Sequence, residues 1–240
     1  MNVISLYDYT GVMGRPWAEA GADVYCFDIQ HKNLYPSEGF ESVGKGRIFY
    51  LYADLHDEGW RNSLIEAISD WCPKVDFLMA FPVCTDLAVC GNKSKIAKLA
   101  LNPNVEIEAT NHAINCAKLA DRFGCPYMIE NPVSRLATLW RKPDHYFHPF
   151  EFGGYLSGSE AVHPTWPDYI APKDAYSKKT CLWCSDSFVF PEKRPVECQS
   201  FGASTQYRKL GGKSIKTKNI RSATPRGFAK AVFLANSKGL

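Results

Sequence analysis

The stretch VDFLMAFPVC, residues 75–84, indicates the fold class of this chain. Its apolar part predicts a strand buried on both faces, as the strands of mostly parallel sheets are. Pro82 ends that strand, and Cys84 follows soon after. Ligands of α/β sheets bind outside the carboxyl ends of the strands, so a thiol there is a candidate nucleophile. The alternative is a small apolar side chain that fills space.

Strand and helix patterns alternate around this stretch. We predict further strands near residues 2–7, 23–30, 46–55 and 126–132, separated by helices near residues 16–21, 58–71 and 105–124. This alternation is typical of βαβ units and predicts an α/β fold, with a mostly parallel sheet and helices on both faces. Residues 141–175 are predicted to be loop, followed by one or two strands within 178–190 and a helix over 224–236, capped by Thr224.

Length and composition are those of an ordinary globular protein. The chain has 240 residues, 45% of them hydrophobic and 22% charged, which is enough for one domain with a small appendage. It has no run of about 20 apolar residues, so we expect no membrane span. The first residues lack a signal-peptide pattern, and the nine cysteines lack a framework spacing. Reduced thiols in a cytoplasm are therefore expected rather than disulfides.

Charge is unevenly distributed along the chain. The formal net charge is +3, yet residues 198–240 contain nine basic and no acidic side chains. The remainder is therefore acidic overall. A basic end on an acidic body predicts a polyanionic partner, and a solvated tail is the alternative.

Two strand ends predict a cofactor site. DYTGVMG, residues 8–14, is a glycine-containing turn before a helix, where the backbone can approach a ligand closely. Asp28 ends the second strand, where nucleotide-binding α/β folds place the acid that binds ribose hydroxyls. Together they predict an adenosine-bearing cofactor. Ordinary loop chemistry in a Rossmann-like sheet is the alternative.

Cys84 and Glu130 are a second pair of candidates. Glu130 lies in IENP, residues 129–132, at the carboxyl end of another predicted central strand. A thiol that attacks carbon and a carboxylic acid that gives a proton would then face one crevice. The pair suits covalent addition to an electrophilic ring.

These motifs resemble those of the DNA (cytosine-5)-methyltransferase family, in particular its short, phage- and prophage-type members. DYTGVMG, CFDIQ, FPVCT, IENP and SATPRGFAKAV occur in the order and rough spacing of that family, over roughly residues 3–140 and 176–236. The resemblance implies a Rossmann-like methyltransferase fold that binds S-adenosyl-L-methionine. It also implies methyl transfer to carbon 5 of cytosine in DNA.

The resemblance assigns roles to individual residues. Cys84 would attack carbon 6 of cytosine, and Glu130 would protonate the ring at N3 and hydrogen-bond the exocyclic amine. Carbon 5 then becomes nucleophilic toward the methyl group, and loss of its proton expels the thiolate. Asn131 and Pro132 would shape the loop that aims Glu130. The residues implied to contact the cofactor are Tyr9, Gly11, Gly14, Asp28, Ile29, Asp54, Phe81, Pro82, Ser222 and Thr224.

The chain departs from the family pattern at several positions. Val83 precedes the cysteine where the family has proline, and Met13 stands where the cofactor loop usually has glycine. The Gln-x-Arg-x-Arg strand that supports the bound base is not visible, and Lys178 and Lys179 of SKKTCLW occupy its place. The paired cysteines in CLWC are more typical here of a core strand than of zinc, so no metal is predicted.

The chain is expected to divide into three parts. Residues 1–140 would form the cofactor-binding catalytic core, residues 141–220 a loop-rich substrate-binding region, and residues 221–240 a C-terminal helix returning to the core. Larger family members carry a recognition domain where this chain has a short basic loop, QYRKLGGKSIKTKN. Lys213 and Lys216 of that loop are candidate substrate contacts.

Three hypotheses remain open. The first is methyl transfer to cytosine in DNA, with no obligate protein partner. The second is a related reaction on a free cytosine nucleotide or with a modified cofactor, because a recognition domain is missing. The third is a DNA-binding relative without activity, which Val83 suggests. Transfer of labelled methyl to duplex DNA, single strands and dCMP in parallel separates them.

Overall fold

A computed structural model describes residues 1–57, 59–69, 71–88, 95–199, 209–211 and 214–237. Within these residues, eight strands form one sheet in the order β3-β4-β2-β1-β5-β6-β8-β7. The strands are β1 (Asn2–Leu6), β2 (Asp23–Asp28), β3 (Glu41–Val43), β4 (Gly46–Tyr52), β5 (Phe77–Ala80), β6 (Tyr127–Pro132), β7 (His145–Phe147) and β8 (Thr180–Cys184).

Helices connect these strands. They are α1 (Arg15–Ala20), α2 (Trp60–Ser69), α3 (Lys95–Leu101), α4 (Val105–Phe123), α5 (Leu136–Leu139), α6 (Ile215–Ser222) and α7 (Arg226–Asn236). Short 3₁₀ segments cover Pro36–Glu38, Pro149–Tyr155 and Pro172–Asp174. Among the described helices, none is long and apolar enough to cross a membrane.

The sheet confirms the predicted α/β class. β4, β2, β1, β5 and β6 are parallel neighbours, which is the strand order of the first five strands in doubly wound folds. β8 then pairs antiparallel with both β6 and β7, which an all-parallel dinucleotide fold would not show. The carboxyl ends of the five parallel strands therefore meet along one edge of the sheet.

Helices cover both faces of the sheet, as the buried strands predict. On one face, α2 and α4 contribute Leu64, Ile68 and Ala113 to an apolar cluster. On the other face, α1 and α7 contribute Trp17 and Val232 to a second cluster. Both faces of β5 are buried, in agreement with its uninterrupted apolar sequence.

Several sequence expectations differ from the structure. The strand β3 and the helix α3 were not predicted, and β7 lies inside the predicted loop of residues 141–175. The predicted basic loop, residues 206–219, is wrong for residues 215–219, which belong to α6. This helix begins because the Ser214 hydroxyl accepts a hydrogen bond from the Thr217 N–H at 3.2 Å.

The predicted cap of the last helix is also wrong. The N-cap residue of α7 is Pro225, which has no side-chain donor or acceptor, and Thr224 lies outside the helix. The Gly227 N–H instead donates to Asp174 Oδ2 at 3.0 Å. The carboxylate of Asp174, which is remote in sequence, therefore accepts from a free N–H group in the first turn of α7. No local sequence pattern could reveal this contact.

Candidate active site

The loop after β1 is organised by a buried carboxylate. Asp8 is 4% exposed and accepts hydrogen bonds from Ser5 Oγ at 2.7 Å and from the Gly11 N–H at 2.8 Å. Gly11 has φ +65°, which favours glycine, and a side chain at Gly14 would collide with Val24. Burial raises the pKa of Asp8, while its hydrogen bonds lower it. The predicted cofactor loop is thus held in one shape.

Three further predicted cofactor residues lie at the same edge. Asp28 ends β2, and its Oδ1 accepts the Gln30 N–H at 2.8 Å. Ile29 is 50% exposed beside it. Asp54 follows β4, and its Oδ1 accepts the His56 N–H at 3.0 Å. The ends of β2 and β4 are joined, because the Ala53 N–H donates to the Asp28 carbonyl at 3.4 Å.

The candidate nucleophile lies in the turn after β5. The Phe81 N–H extends the sheet by donating to the Leu6 carbonyl at 3.0 Å. Pro82 is buried, Val83 is 38% exposed, and Cys84 is partly buried. Of the eight cysteines that the structure describes, six are buried, and only Cys84 and Cys198 have intermediate exposure.

Glu130 and Asn131 lie on β6, directly beside β5. The register pairs Ala80 with Ile129, so Glu130 is level with the residue that follows β5. The buried Asn131 side chain donates from Nδ2 to the Pro82 carbonyl at 2.9 Å. Its Oδ1 accepts the Ser134 hydroxyl at 3.2 Å. Asn131 therefore fixes the Cys84 turn against the strand that carries Glu130.

The Glu130 carboxyl is partly buried, and desolvation raises its pKa. The charge of Lys178 acts in the opposite direction but does not cancel this effect. Lys178 also donates from Nζ to the Arg221 carbonyl at 3.1 Å. The Lys178 ammonium group therefore acts on Glu130 through its charge and is hydrogen-bonded to the end of α6. A carboxyl that retains its proton is suited to act as a general acid.

A charged network supports the Cys84 turn from outside. Arg135 donates from Nη2 to the Asp86 carbonyl at 2.7 Å and pairs with Glu106. Lys98 pairs with the Asp86 carboxylate at 2.6 Å. These contacts anchor the turn to α3, to α4 and to the segment after β6.

The C-terminal segment reaches the segment that follows β2. Asn219 of α6 donates from Nδ2 to Gln30 Oε1 at 3.2 Å, next to Ile29. Ser222 is exposed and donates to the Asn219 carbonyl at 3.3 Å, whereas Thr224 is 8% exposed. The contact between α6 and the segment after β2 is therefore made by Asn219, and Ser222 lies at the end of the same helix.

The predicted basic contacts are dispersed. Lys179 is exposed, with its ammonium 4.8 Å from the centre of the Tyr146 ring. Lys216 is exposed on α6, and its ammonium lies 5.9 Å from the centre of the Tyr169 ring. Lys213 falls outside the described residues. Pro132 ends β6 and is partly buried.

A cavity of about 760 Å³ lies between the cofactor loop, α1, α7 and the segment around His163. Tyr9 and Thr10 line it, and Arg226 lies on its α7 side. Cys84 and Glu130 do not line this cavity. The candidate site considered for Cys84 and Glu130 is therefore the edge where the parallel strands end, outside this cavity.

Sequence reasoning missed three groups that the structure brings together with other parts of the chain. Asp8 carries no motif that marks it as the organiser of its loop. His56 Nδ1 lies 3.2 Å from His112 Nε2, although the two residues are far apart in sequence. Asp174 reaches α7 from a distant segment. Within the described residues, no group of three or more His, Cys, Asp or Glu side chains is arranged to hold a metal ion.

Comparison with known proteins adds little on function. No protein-family model matches the chain, and no curated protein matches it. Among solved structures, it is similar to a short-chain dehydrogenase/reductase mutant from Serratia marcescens, at 13% identity, a TM-score of 0.34 and 51% coverage of each chain. An NADH-dependent reductase complexed with NAD is 16% identical, with a TM-score of 0.30, over 51% of this chain and 55% of that one.

A short-chain type dehydrogenase/reductase from Mycobacterium ulcerans is similar at 14% identity and a TM-score of 0.30, over 51% of this chain and 46% of that one. The matches therefore span about half the length of these proteins.

Proposed function

We propose that this chain is an S-adenosyl-L-methionine-dependent methyltransferase that modifies carbon 5 of cytosine in DNA. The observation that carries the proposal is the bond from Asn131 to the Pro82 carbonyl, at 2.9 Å. It holds the Cys84 turn beside the strand of Glu130, so a candidate nucleophile and a candidate acid lie at neighbouring strand ends. That is the arrangement that addition to carbon 6 and protonation at N3 require.

The electrostatics of the pair support these roles. The raised pKa of Glu130 keeps the carboxyl protonated to higher pH than usual, which suits proton donation to N3. Cys84 is more accessible than the buried cysteines. The proton taken up at N3 withdraws charge from the ring, carbon 5 then takes the methyl group, and departure of its proton releases Cys84.

The cofactor would lie across the ends of β1, β2 and β4. The rigid turn at Gly11 leaves backbone close to a ligand, and Asp28 stands where ribose hydroxyls bind in such folds. S-adenosyl-L-methionine would supply the methyl group when bound. A duplex substrate would have to present its cytosine flipped out of the stack.

Trapping with 5-fluorocytosine tests the proposal. Fluorine does not leave carbon 5 as a proton does, so the thioether to Cys84 should persist on fluorinated duplex DNA in the presence of the cofactor. Cys84→Ser should abolish the adduct, detected by mass spectrometry of the denatured complex. Cys198→Ser is the matched control, because it removes the other described cysteine of intermediate exposure.

Two outcomes would contradict the assignment. An adduct that persists in Cys84→Ser would move the nucleophile elsewhere, and Cys90, which lies outside the described residues, would be tested first. A wild type that reacts with 5-fluoro-dCMP but not with fluorinated duplex or single strands would replace DNA by a free nucleotide as the substrate.

A further inference from the structure

The cavity of about 760 Å³ has no part in the proposed reaction, because Cys84 and Glu130 do not line it. Its volume is in the range of pockets that hold small organic ligands, about 300–1,000 Å³. The cofactor loop and α1 contribute to its lining, and so do α7 and the segment around His163. The side chains of these walls therefore indicate what the cavity can bind.

Stacked aromatic rings occur in two separate segments of the lining. The ring centres of Tyr9 and His31 are 5.7 Å apart, and their planes are inclined by 19°. His163 and Trp166 stack in the same way, at 5.3 Å and 23°. All four rings line the cavity, and Tyr9, His31 and Trp166 are partly or largely exposed. Open aromatic faces of this kind bind the planar bases of nucleotides by stacking.

Hydrogen bonds hold both ring pairs in place. His31 Nε2 lies 3.1 Å from the Asp8 carbonyl, which can only accept, so this nitrogen donates. His163 Nδ1 accepts the backbone N–H groups of Thr165 at 3.2 Å and of Trp166 at 3.1 Å. The aromatic surfaces are thus preorganised, which lowers the entropic cost of binding a ligand between them.

One cation of the lining lacks an ion-pair partner. Arg15 and Lys230 are each paired with a glutamate. Within the described part of the chain, Arg226 forms no ion pair. Its Nη2 donates to the Ala161 carbonyl at 3.2 Å, and its buried Nε has no partner there. Asp174 lies near Arg226, but desolvation raises the pKa of that carboxyl and so weakens its ability to neutralise the guanidinium.

His163 contributes a second donor without a partner. Because its Nδ1 accepts two N–H groups, the neutral ring carries its proton on Nε2. Burial and the charge of Arg226 lower the pKa of His163 to about 4, so the ring is neutral at neutral pH. The buried Nε2 has no hydrogen-bond partner among the described residues, which is costly for a donor. An anion beside His163 and Arg226 would satisfy both side chains.

We propose that this cavity binds a nucleoside monophosphate unit. The base stacks on the rings of Tyr9 and Trp166. The phosphate accepts hydrogen bonds from the Arg226 guanidinium and from His163 Nε2. This inference goes beyond the proposed function, because it assigns a second nucleotide site outside the candidate catalytic pair. A free nucleotide and a nucleotide within a strand share this chemistry, so both are tested.

Calorimetric titration with dAMP, deoxyadenosine and inorganic phosphate tests the proposal. Adenine offers a large stacking surface and is not the base of the proposed reaction. We expect dAMP to bind more tightly than either fragment by at least about 10-fold, since a charged hydrogen bond and base stacking both contribute. Arg226→Gln should weaken dAMP binding by about 10-fold or more and leave deoxyadenosine binding unchanged. Trp166→Leu should weaken the binding of both by about 5-fold or more.

Matched variants separate these contacts from general effects. Arg47→Gln removes an exposed positive charge near the amino end of β4 and should leave dAMP binding unchanged. His163→Asn keeps an acceptor for the two backbone N–H groups but lacks the Nε2 donor, so it should weaken the binding of dAMP and not that of deoxyadenosine. Arg226→Lys keeps the charge and should lose less affinity than Arg226→Gln. Thermal unfolding followed by circular dichroism shows that each variant is folded.

A short single-stranded oligodeoxyadenylate distinguishes the two sources of the ligand. Binding of the strand that falls in Arg226→Gln, together with no binding of dAMP, assigns the cavity to a nucleotide within a strand. Binding of dAMP that falls in the same variant, together with unchanged strand binding, assigns it to a free nucleotide. Either result supports the site.

Three results overturn the inference. The first is that neither dAMP nor the strand binds. The second is that their affinities are unchanged in both Arg226→Gln and Trp166→Leu. The third is that excess S-adenosylhomocysteine displaces dAMP, which would place dAMP in the cofactor site. A wild type that binds dAMP but not S-adenosylhomocysteine contradicts the cofactor proposal and leaves this inference intact.

Discussion

Glu130 has the property that the proposed general acid needs. Its carboxyl is partly buried on β6, desolvation raises its pKa, and the charge of Lys178 only partly opposes that effect. A proton is therefore held until the pH rises through the raised pKa. Because the folded pKa is raised, this group stabilises the fold at low pH, and that stabilisation is lost as the pH rises through the folded pKa.

Replacing this acid should separate chemistry from cofactor binding. We expect Glu130→Gln to lower kcat by about 10²- to 10⁴-fold, because the amide keeps the shape but cannot give a proton. Cofactor affinity should change little. Glu66→Gln, an exposed change on α2, is the control for loss of one negative charge. Loss of cofactor binding in Glu130→Gln would assign Glu130 to the cofactor or the fold.

The pH dependence provides a separate test of the same residue. Wild-type kcat should fall as the pH rises through the raised pKa of Glu130, because the required acid becomes ionised. The residual rate of Glu130→Gln should lack that limb. At neutral pH the variant should be no less stable to urea than the wild type, since its side chain is neutral throughout. A falling limb that remains in the variant would assign it to another group.

At the scale of elements, the pairing of β5 with β6 positions the Cys84 turn and Glu130 of the candidate site next to each other. Asn131 is 1% exposed, and both ends of its amide are bonded, to Pro82 and to Ser134. The sequence motif suggested a loop that aims Glu130. The structure shows that the same side chain reaches back to the preceding strand and fixes the Cys84 turn.

Asn131→Asp should therefore damage fold and activity together. The new oxygen would face the Pro82 carbonyl, and a charge would be buried without a donor from that side. We expect the free energy of unfolding to fall by at least about 1–3 kcal/mol, measured by urea denaturation. Asn62→Asp, exposed on α2, is the matched control. A loss of activity with unchanged stability would argue that the hydrogen bonds of Asn131 do not hold the Cys84 turn in place.

The elements that the sequence did not predict share a physical cause. The helix α3 has only seven residues, KIAKLAL, and none of its side chains is buried, so it is too short to show a clear helical period. In α6 only Thr217 and Ile220 are buried, which is too little for a periodic signal. The strand β3 has three residues and depends on its antiparallel pairing with β4. The long buried strands and α4, by contrast, were predictable from pattern alone.

At the scale of the whole molecule, chain order determined which site residues could be predicted. Asp28 and Glu130 lie near the carboxyl ends of strands that the sequence shows clearly, and Asp54 and Cys84 follow such strands. Parallel strands bring their carboxyl ends to one edge. The relation of His56 to His112 depends instead on how α4 packs, which no local pattern encodes. The basic character of residues 198–240 was visible in the composition, but the helix α6 within them was not.

Two lysines of α6 place positive charge on the surface of the molecule. Lys216 and Lys218 are exposed on α6, whose end is joined to the strand edge through Lys178 and Asn219. If α6 contacts the DNA backbone, log affinity for random duplex should fall with log salt by about 0.9 per phosphate contact. Lys216→Ala with Lys218→Ala should flatten that slope by up to about two units, one per lysine, with sequence preference nearly unchanged.

The control pair for this measurement lies at the opposite edge of the sheet. Lys45 and Lys74 are exposed and precede the amino ends of β4 and β5, so Lys45→Ala with Lys74→Ala removes equal charge away from the candidate site. We expect the control to leave the slope nearly as in the wild type, measured by fluorescence anisotropy at several salt concentrations. Equal slopes for the two double variants would show that net charge, not α6, governs binding. A wild type insensitive to salt would exclude backbone contacts by this helix and favour the free-nucleotide substrate.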